Sequence, residues 1–318
     1  MTGQEAPFDL TRTVTELFNN QLRDWELARI NYSGLQNTRI KTISFEGFNI
    51  LVQFNPKRIQ SSAAKVDPAS IKARPCFLCE KNRPSEQKGI RFRDEYVLLV
   101  NPYPIFHYHL TIPTLKHELQ RILPNFGMML KIAKDLPGYT ILYNGPQCGA
   151  SAPDHFHFQA VPKHNMPIET DFTRKIRCRF NFEIQGIEVY TWNRYLRRII
   201  TLSGNHTSPL EYFFHMIYKQ FAEILPPGDE PMLNILTWFS NDNYVVHLIP
   251  RKLHRPDRYF MAGERQLLLS PASIDLGGIL IMPREEDFEK ITRADIVDVF
   301  NQIGVDDDSI QYVVNKIT

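Results

Sequence analysis

The sequence has no apolar run approaching the length needed to cross a bilayer, so a membrane-spanning protein is not expected. It has only four cysteines, too few in 318 residues to build a disulfide framework. Neither sign of charge prevails: 37 Lys and Arg stand against 35 Asp and Glu, a formal net charge of +2. That balance gives no global attraction to nucleic acid or an acidic membrane. A basic helix and a paired aromatic RNA-binding signature are also missing. The first ten residues, MTGQEAPFDL, have neither a basic start nor an apolar core, so no secretory signal is expected. A reducing, cytoplasmic setting is the simplest reading. The rest of the composition, 43% hydrophobic and 23% charged, is that of a globular protein with one large or two closely packed domains.

The apolar residues Leu10, Val14, Leu17, Phe18, Leu22 and Trp25 predict a helix over residues 9–27. Residues 28–55 alternate like strands, most clearly in TISFEGFNILVQF. A polar loop is expected around Gln60–Ser70, followed by strands at Tyr96–Asn101 and His107–Ile112. A helix is expected at Glu118–Leu136 and a strand at Tyr139–Tyr143. After Pro167 the pattern reads as a basic, strand-rich passage to Trp192, then a helix at Leu210–Leu225. The strands Met232–Phe239 and Tyr244–Pro250 repeat in outline the order of Tyr139–Pro162, which suggests a weak internal duplication. The expectation is an α+β fold with antiparallel sheets and flanking helices. Residues 1–190 would form the active half and residues 191–318 a degenerate one, with the seam near residues 185–205.

The most telling stretch is NGPQCGASAPDHFHFQ at Asn144–Gln159. On a strand, side chains repeat every second residue, so His155, His157 and Gln159 share one face while Phe156, Phe158 and Ala160 take the other. Two imidazoles and a carboxamide would then form a fixed array, as a nucleophilic or metal-bound histidine requires. Just upstream, Gly145, Gly149, Ala150 and Ser151 keep the backbone bare, so an anionic group can approach its N–H donors. Cys148, inside this loop, has no adjacent base and reads as a small packing residue. Cys178 falls in no pattern.

Cys76 and Cys79 form a Cys-x-x-Cys pair in a Pro-led loop, a spacing suited to one tetrahedral zinc. Two further ligands are needed, and the candidates are His107, His109, His117 and His155. Among the basic residues, Arg74, Lys81, Arg83, Lys163, Arg251 and Lys252 are candidates for phosphate contact.

CFLC, followed by Asn144, the small-residue loop and His-x-His-x-Gln, resembles galactose-1-phosphate uridylyltransferase and its relatives in the histidine-triad superfamily. HLTIPTLKHELQ at His109–Gln120 resembles the segment in which that superfamily writes a strand, a Pro and then a His. The match implies His117 as third zinc ligand and His155 as fourth, with His109 and His107 as runners-up. HFQAVPKHNMPIE at His157–Glu169 is similar to the GDP-hexose phosphorylases, the GDP-L-galactose and GDP-glucose enzymes. So is the stretch from VVHLIPRK through GERQLLLSPASIDLGGILIMPREEDFEKI. Asp154 departs from the Pro or Asn usual before the first His, and the Cys pair belongs to the uridylyltransferase side. The chain therefore reads as a separate branch.

These resemblances imply two HIT-like halves packed as a pseudo-dimer, as a monomer or within a homodimer. They imply a nucleotidyltransferase in which His157 attacks an α-phosphorus and forms a covalent nucleotidyl-histidine. Gln159 would donate to a phosphate oxygen. Ser151 and the backbone of Gly149 and Ala150 would bind the phosphate chain, and Asn144 would fix the loop or bind the His157 carbonyl. Zinc on Cys76, Cys79, His117 and His155 would be structural. The leading expectation is phosphorolysis of a nucleoside diphosphate hexose, with a nucleotide sugar and inorganic phosphate as the small-molecule partners. The alternatives are uridylyl transfer to a sugar phosphate, dinucleoside polyphosphate phosphorolysis, or a zinc-stabilised nucleotide hydrolase or binding protein.

Overall fold

The computed structural model describes residues 10–59 and 67–318. The chain opens with two helices, α1 (Leu10–Asp24) and α2 (Glu26–Ser33). Leu10, Val14, Leu17 and Phe18 line the buried face of α1 at helical spacing. Residues 28–33, expected to be extended, are thus helical, and the alternating pattern begins only at the hairpin β1 (Arg39–Ser44) and β2 (Asn49–Phe54). The loop expected at Gln60–Ser70 lies in part outside the described residues. Its end is a short helix, α3 (Pro68–Ala73), capped by the Asp67 carboxylate, which accepts the Ser70 N–H at 2.9 Å.

A ten-stranded antiparallel sheet organises everything else. Its first-half strands are β3 (Gly89–Phe92), β4 (Tyr96–Val100), β5 (Leu110–Pro113), β6 (Tyr139–Asn144) and β7 (His157–Pro162), with helix α4 (Phe126–Asp135) between β5 and β6. After helix α5 (Pro167–Thr173) come β8 (Cys178–Ile184), β9 (Ile187–Trp192), β10 (Ile200–Gly204), helix α6 (Thr207–Ile224), β11 (Leu233–Ser240) and β12 (Asn243–Pro250). The strand order is β3-β4-β5-β7-β6-β11-β12-β10-β9-β8. Each half runs first, second, third, fifth, fourth, with its helix between third and fourth, and the two meet where β6 pairs with β11. The fold is α+β with two similar halves joined as a pseudo-dimer. Residue 190, where the sequence pattern suggested dividing them, lies inside β9.

The sheet separates two cores, and its side chains alternate between them. Ile141, Tyr143, Phe156, Phe158 and Ala160 face one core, beneath α1, α4 and α6. There Phe126 of α4 stacks on Phe214 of α6 with ring centroids 3.8 Å apart, so the halves also meet through their helices. Leu142, Val161, Leu236, Trp238 and Ile249 face the other core. This second core is closed by a small sheet of β1, β2 and β13 (Ile279–Met282) and by the helices α7 (Ser273–Leu276), α8 (Glu285–Lys290) and α9 (Arg293–Ile303). The last helix, α10 (Asp307–Ile317), returns to the first core. Phe156 and Phe158 are fully buried, worth roughly 1.5–3 kcal/mol each, and they anchor the strand that carries His157.

Three further expectations are corrected. His107 and Tyr108 form a turn, with Tyr108 at φ 59°, and the strand begins only at Leu110. The helix expected from Glu118 starts at Phe126. Residues 118–120 instead run beside the His155 loop, where the Phe156 N–H donates to Glu118 O and the Gln120 N–H to Pro153 O. Pro124, with no N–H to give, sits at a helix start rather than inside one. After Pro167 the chain forms α5 before the strands β8 and β9.

Candidate active site and metal centre

His157 is the first residue of β7 and is 3% exposed. Its Nδ1–H donates to the His155 carbonyl at 2.9 Å, which fixes the tautomer and leaves the Nε2 lone pair unprotonated. Burial holds its pKa down to about 4, so the ring is neutral at physiological pH. It borders a cleft of about 660 Å³, which Asn144, Gly149, Ala150, Ser151 and Gln159 also line.

Gln159 is oriented by a residue whose role the sequence hid. His109, fully buried with its pKa held down to about 3 by burial and by Arg58, accepts the Ile105 N–H on Nδ1 at 3.3 Å. Its Nε2–H therefore donates to Gln159 Oε1 at 2.8 Å, and the Gln159 NH2 group is left for the cleft. His109 is not near the thiols, and His107 is exposed in its turn.

Gln120, also fully buried, clamps the site from behind. It accepts the His157 N–H at 2.8 Å and donates to the carbonyls of Asn144 and His157, both at 2.9 Å. The His157 carbonyl is therefore held by Gln120, not by the Asn144 side chain. Asn144 Oδ1 instead accepts from Asn234 Nδ2 at 2.8 Å and from the N–H and hydroxyl of Ser273 at 2.8 and 2.7 Å. It ties the loop to the second half. Gly149 has φ +95°, and a Cβ there would stand 2.6 Å from that of Ala272, so only glycine lets the loop approach α7 this closely. Cys148 is buried, its thiol pushed up to about 12 by burial, consistent with packing.

Cys76, Cys79, His117 and His155 converge beside this strand, their ligand atoms all within 4.8 Å of one another. Cys76 Sγ lies 3.2 Å from His155 Nδ1, and Cys79 Sγ 3.2 Å from His117 Nδ1. Burial opposes ionisation of Cys76, but the His155 ring and the amides of Leu78 and Cys79 bring its pKa to about 6. The His155 Nε2–H donates to the Thr114 carbonyl at 2.9 Å, which turns Nδ1 towards the thiols. Two soft thiols and two imidazoles at such separations suit a tetrahedral zinc and leave no open position on it. Asp154, the departure from the family pattern, pairs with Arg74 at 2.9 Å and ties α3 to the histidine loop.

Five of the six basic candidates for phosphate contact stand away from the cleft. Lys163 lies outside the cleft, donating to the Phe239 carbonyl at 3.1 Å. Arg251 is fully buried and both terminal nitrogens of its guanidinium are already occupied, by Asn234 Oδ1 and by the carbonyls of Pro271, Leu253 and His254. Lys81, Arg83 and Lys252 do not reach the cleft either, whereas Arg74 does. Of the cleft's other arginines, Arg255 belongs to the basic run Arg251–Arg258, a signal that did not single it out, and Arg58 carried none.

Residues 171–318 match the family described as GDPGP1-like, C-terminal domain, and residues 17–162 match a domain of unknown function, DUF4922. Crystal structures of yeast Ap4A phosphorylase Apa2 share the fold. The structure without ligand superposes with a TM-score of 0.63 at 14% identity, covering 92% of this chain and 97% of that one. The complex with Ap4A gives 0.61 at 15% identity over 94% and 98%. The complex with AMP gives 0.59 at 16% over 92% and 96%. No curated protein matches the sequence. These matches agree with the histidine-triad phosphorylase resemblance drawn from the sequence, and the fold is the two-halved one of the Ap4A phosphorylase structures.

Proposed function

We propose that this chain is a nucleotidyltransferase of the phosphorylase type, acting on a nucleoside diphosphate hexose, a GDP-hexose first. The observation that carries this reading is the hydrogen bond from His157 Nδ1 to the His155 carbonyl, which aims an unprotonated Nε2 into a cleft with arginines on its walls. In the first step Nε2 attacks the α-phosphorus and the bond to the bridging oxygen breaks, expelling hexose 1-phosphate and leaving a nucleotidyl-histidine. In the second, inorganic phosphate attacks the same phosphorus, His157 leaves, and nucleoside diphosphate is released. Two in-line displacements retain configuration at phosphorus. The Gln159 NH2 donates to a non-bridging oxygen as charge develops there. Ser151 and the backbone at Gly149 and Ala150 face the phosphate chain, with Arg58, Arg74 and Arg255 supplying positive charge.

Cys76, Cys79, His117 and His155 would hold a zinc ion, which would tie the Cys loop to the bend that leads into β7. The GDPGP1-like match favours the hexose substrate. The fold shared with the Ap4A phosphorylases supports a second reading, phosphorolysis of a dinucleoside polyphosphate by the same two steps. The division between the halves is proposed to fall between β7 and β8, on the strength of their matching strand orders.

The test is intact-protein mass spectrometry after mixing with GDP-, UDP- and ADP-hexoses and with Ap4A, without acceptor. The expected result is a nucleoside-monophosphate adduct with GDP-hexose that is absent in His157→Ala and discharged by phosphate. An adduct that persists in His157→Ala would refute the nucleophile, and one formed only with Ap4A would favour the second reading.

A further inference from the structure

A second cavity, of about 340 Å³, opens on the other half and shares no lining residue with the cleft. Phe45 and Phe48 from the β1–β2 turn, Trp192 at the end of β9 and Tyr195 just after it give it an aromatic wall. Arg194, Arg197, Arg198 and Arg293 line it too, against only two acids, Glu46 and Asp307. Four positive groups less two negative ones leave a surplus of two.

Arg197 is the unusual member. It is 2% exposed, yet none of its three guanidinium nitrogens has a hydrogen-bonding partner in the protein. Its guanidinium lies on the Tyr195 ring at 3.9 Å, with Phe48 and Phe300 at 5.6 Å. The nearby carboxylate of Asp171 accepts the Tyr195 hydroxyl at 2.5 Å and acts on Arg197 only through its field. Arg198 is engaged by Asp307 at 3.1 Å and Asn301 at 3.3 Å. Arg194 and Arg293 are exposed, and Arg293 rests over Phe45 at 4.8 Å. A buried guanidinium without acceptors is costly unless a ligand supplies them.

We propose that this cavity is a binding site for a small phosphomonoester. Its phosphate is held by Arg194 and Arg293 and by the fork of Arg197, and its remainder lies along the aromatic wall. Arg197 must turn off the Tyr195 ring to reach the phosphate, because its nitrogens are closed over as the side chain stands. The planar guanidinium fork matches a phosphate's oxygens. The surplus of two charges matches the near −2 charge of a phosphomonoester at neutral pH. The volume is at the small end for ligand sites, which favours a compact molecule over a dinucleotide. The inference rests on a cavity the proposed reaction does not use, so either can fail without the other.

Calorimetric titration of the full chain with ribose 5-phosphate tests it, inorganic phosphate being unsuited because the proposed reaction takes it in the cleft. Wild type is expected to bind, Arg197→Met to bind at least tenfold more weakly, and Arg74→Met, altered in the cleft, to bind as wild type. Nucleotidyl-adduct formation should not change in Arg197→Met. Should Arg197→Met fold poorly, the exposed pair Arg194→Ala with Arg293→Ala is expected to show the same tenfold loss. Equal binding by wild type and these variants, binding lost in Arg74→Met instead, or no binding by wild type would overturn the assignment.

Discussion

Gln120→Ala is the substitution whose effect the structure defines most sharply. The side chain is fully buried and makes three hydrogen bonds, all to the backbone that positions His157 and Asn144. Truncation leaves the His157 N–H and two carbonyls unpaired in the interior. Each unmet group costs about 1–3 kcal/mol, so the expected loss is about 3–5 kcal/mol after partial relaxation. Against a total stability of about 5–15 kcal/mol this is large, but it leaves a folded population to assay. The second effect is kinetic. A nucleophile displaced by about 1 Å can lose ~10²-fold in rate, so adduct formation should slow by that order where the variant remains folded. Gln120→Glu is the informative companion: it still accepts the His157 N–H, but it turns carboxylate oxygens towards two carbonyls and should be no more stable than Gln120→Ala. Urea unfolding gives the first number and single-turnover adduct formation the second. If Gln120→Ala lost less than about 1 kcal/mol and formed adduct at the wild-type rate, the clamp would have no part in positioning His157.

Gln159→Ala should slow adduct formation by ~10²–10³, as loss of an oxyanion donor does, with little effect on melting temperature. His109→Phe should slow it by about tenfold, because the Gln159 carboxamide is no longer held with its NH2 towards the cleft; an unchanged rate would refute that role. The purified chain should carry one zinc per polypeptide by elemental analysis. Cys79→Ser should lose the metal and melt at a lower temperature, and wild-type zinc content in that variant would exclude Cys79 as a ligand. His247 is fully buried, and burial, aided by Lys175 and Arg197, lowers its pKa to about 3 from an ordinary 6.5. As pH falls below 6.5 the unfolded chain takes up this proton first. The stability is therefore whole above 6.5 and lost progressively towards pH 3, by at most ~1.4 kcal/mol per pH unit. Urea midpoints of His247→Gln should fall less steeply than wild type between pH 6.5 and 4, and parallel curves would contradict this.

Features carried by local periodicity were legible in the sequence. The alternation places His157 and Gln159 on one face of β7 and Phe158 and Ala160 on the other. His155, expected on the same strand, sits instead in the bend before it, where the fold brings Cys76, Cys79, His117 and His155 together. The two-halved α+β architecture was legible for the same reason, from the repeated strand–loop–strand order. What could not be read depends on contacts between distant segments. Gln120 looks like the polar face of an amphipathic helix until the His155 loop claims its neighbours' backbone. His109 looks like a metal ligand until Gln159 is placed opposite it, 50 positions away. Arg251 reads as a phosphate contact, yet Asn234 and Pro271, 17 and 20 positions away, occupy one of its terminal nitrogens. Charge in a sequence does not reveal whether a side chain is already spent.

The pairing across the junction also accounts for the silence of the second half. Leu142 faces Leu236 there, and beside them, on β7 and β12, stand Gln159 and His247. With that pair as the local axis, Pro162 and Pro250 close equivalent strands, and the position of His157 falls to Val245. Val245 has no lone pair to offer and is packed in the core. His247, in the place of Gln159, is walled by Phe172, Trp192 and Trp238, and its Nδ1 accepts the Thr201 hydroxyl at 2.7 Å, out of reach of a phosphate. The connection that spans residues 145–156 in the first half has shrunk to a turn at Asn241 and Asp242 in the second. The second half thus has neither a histidine at the position equivalent to His157 nor a loop equivalent to residues 145–156. What it offers is the sheet edge at β11, where Asn234 meets Asn144, and the segment around Ser273 that holds the start of the 145–156 loop in place. The proposed site is therefore single and the second half is its scaffold, with Asn144 reaching across the junction from the wall of the cleft.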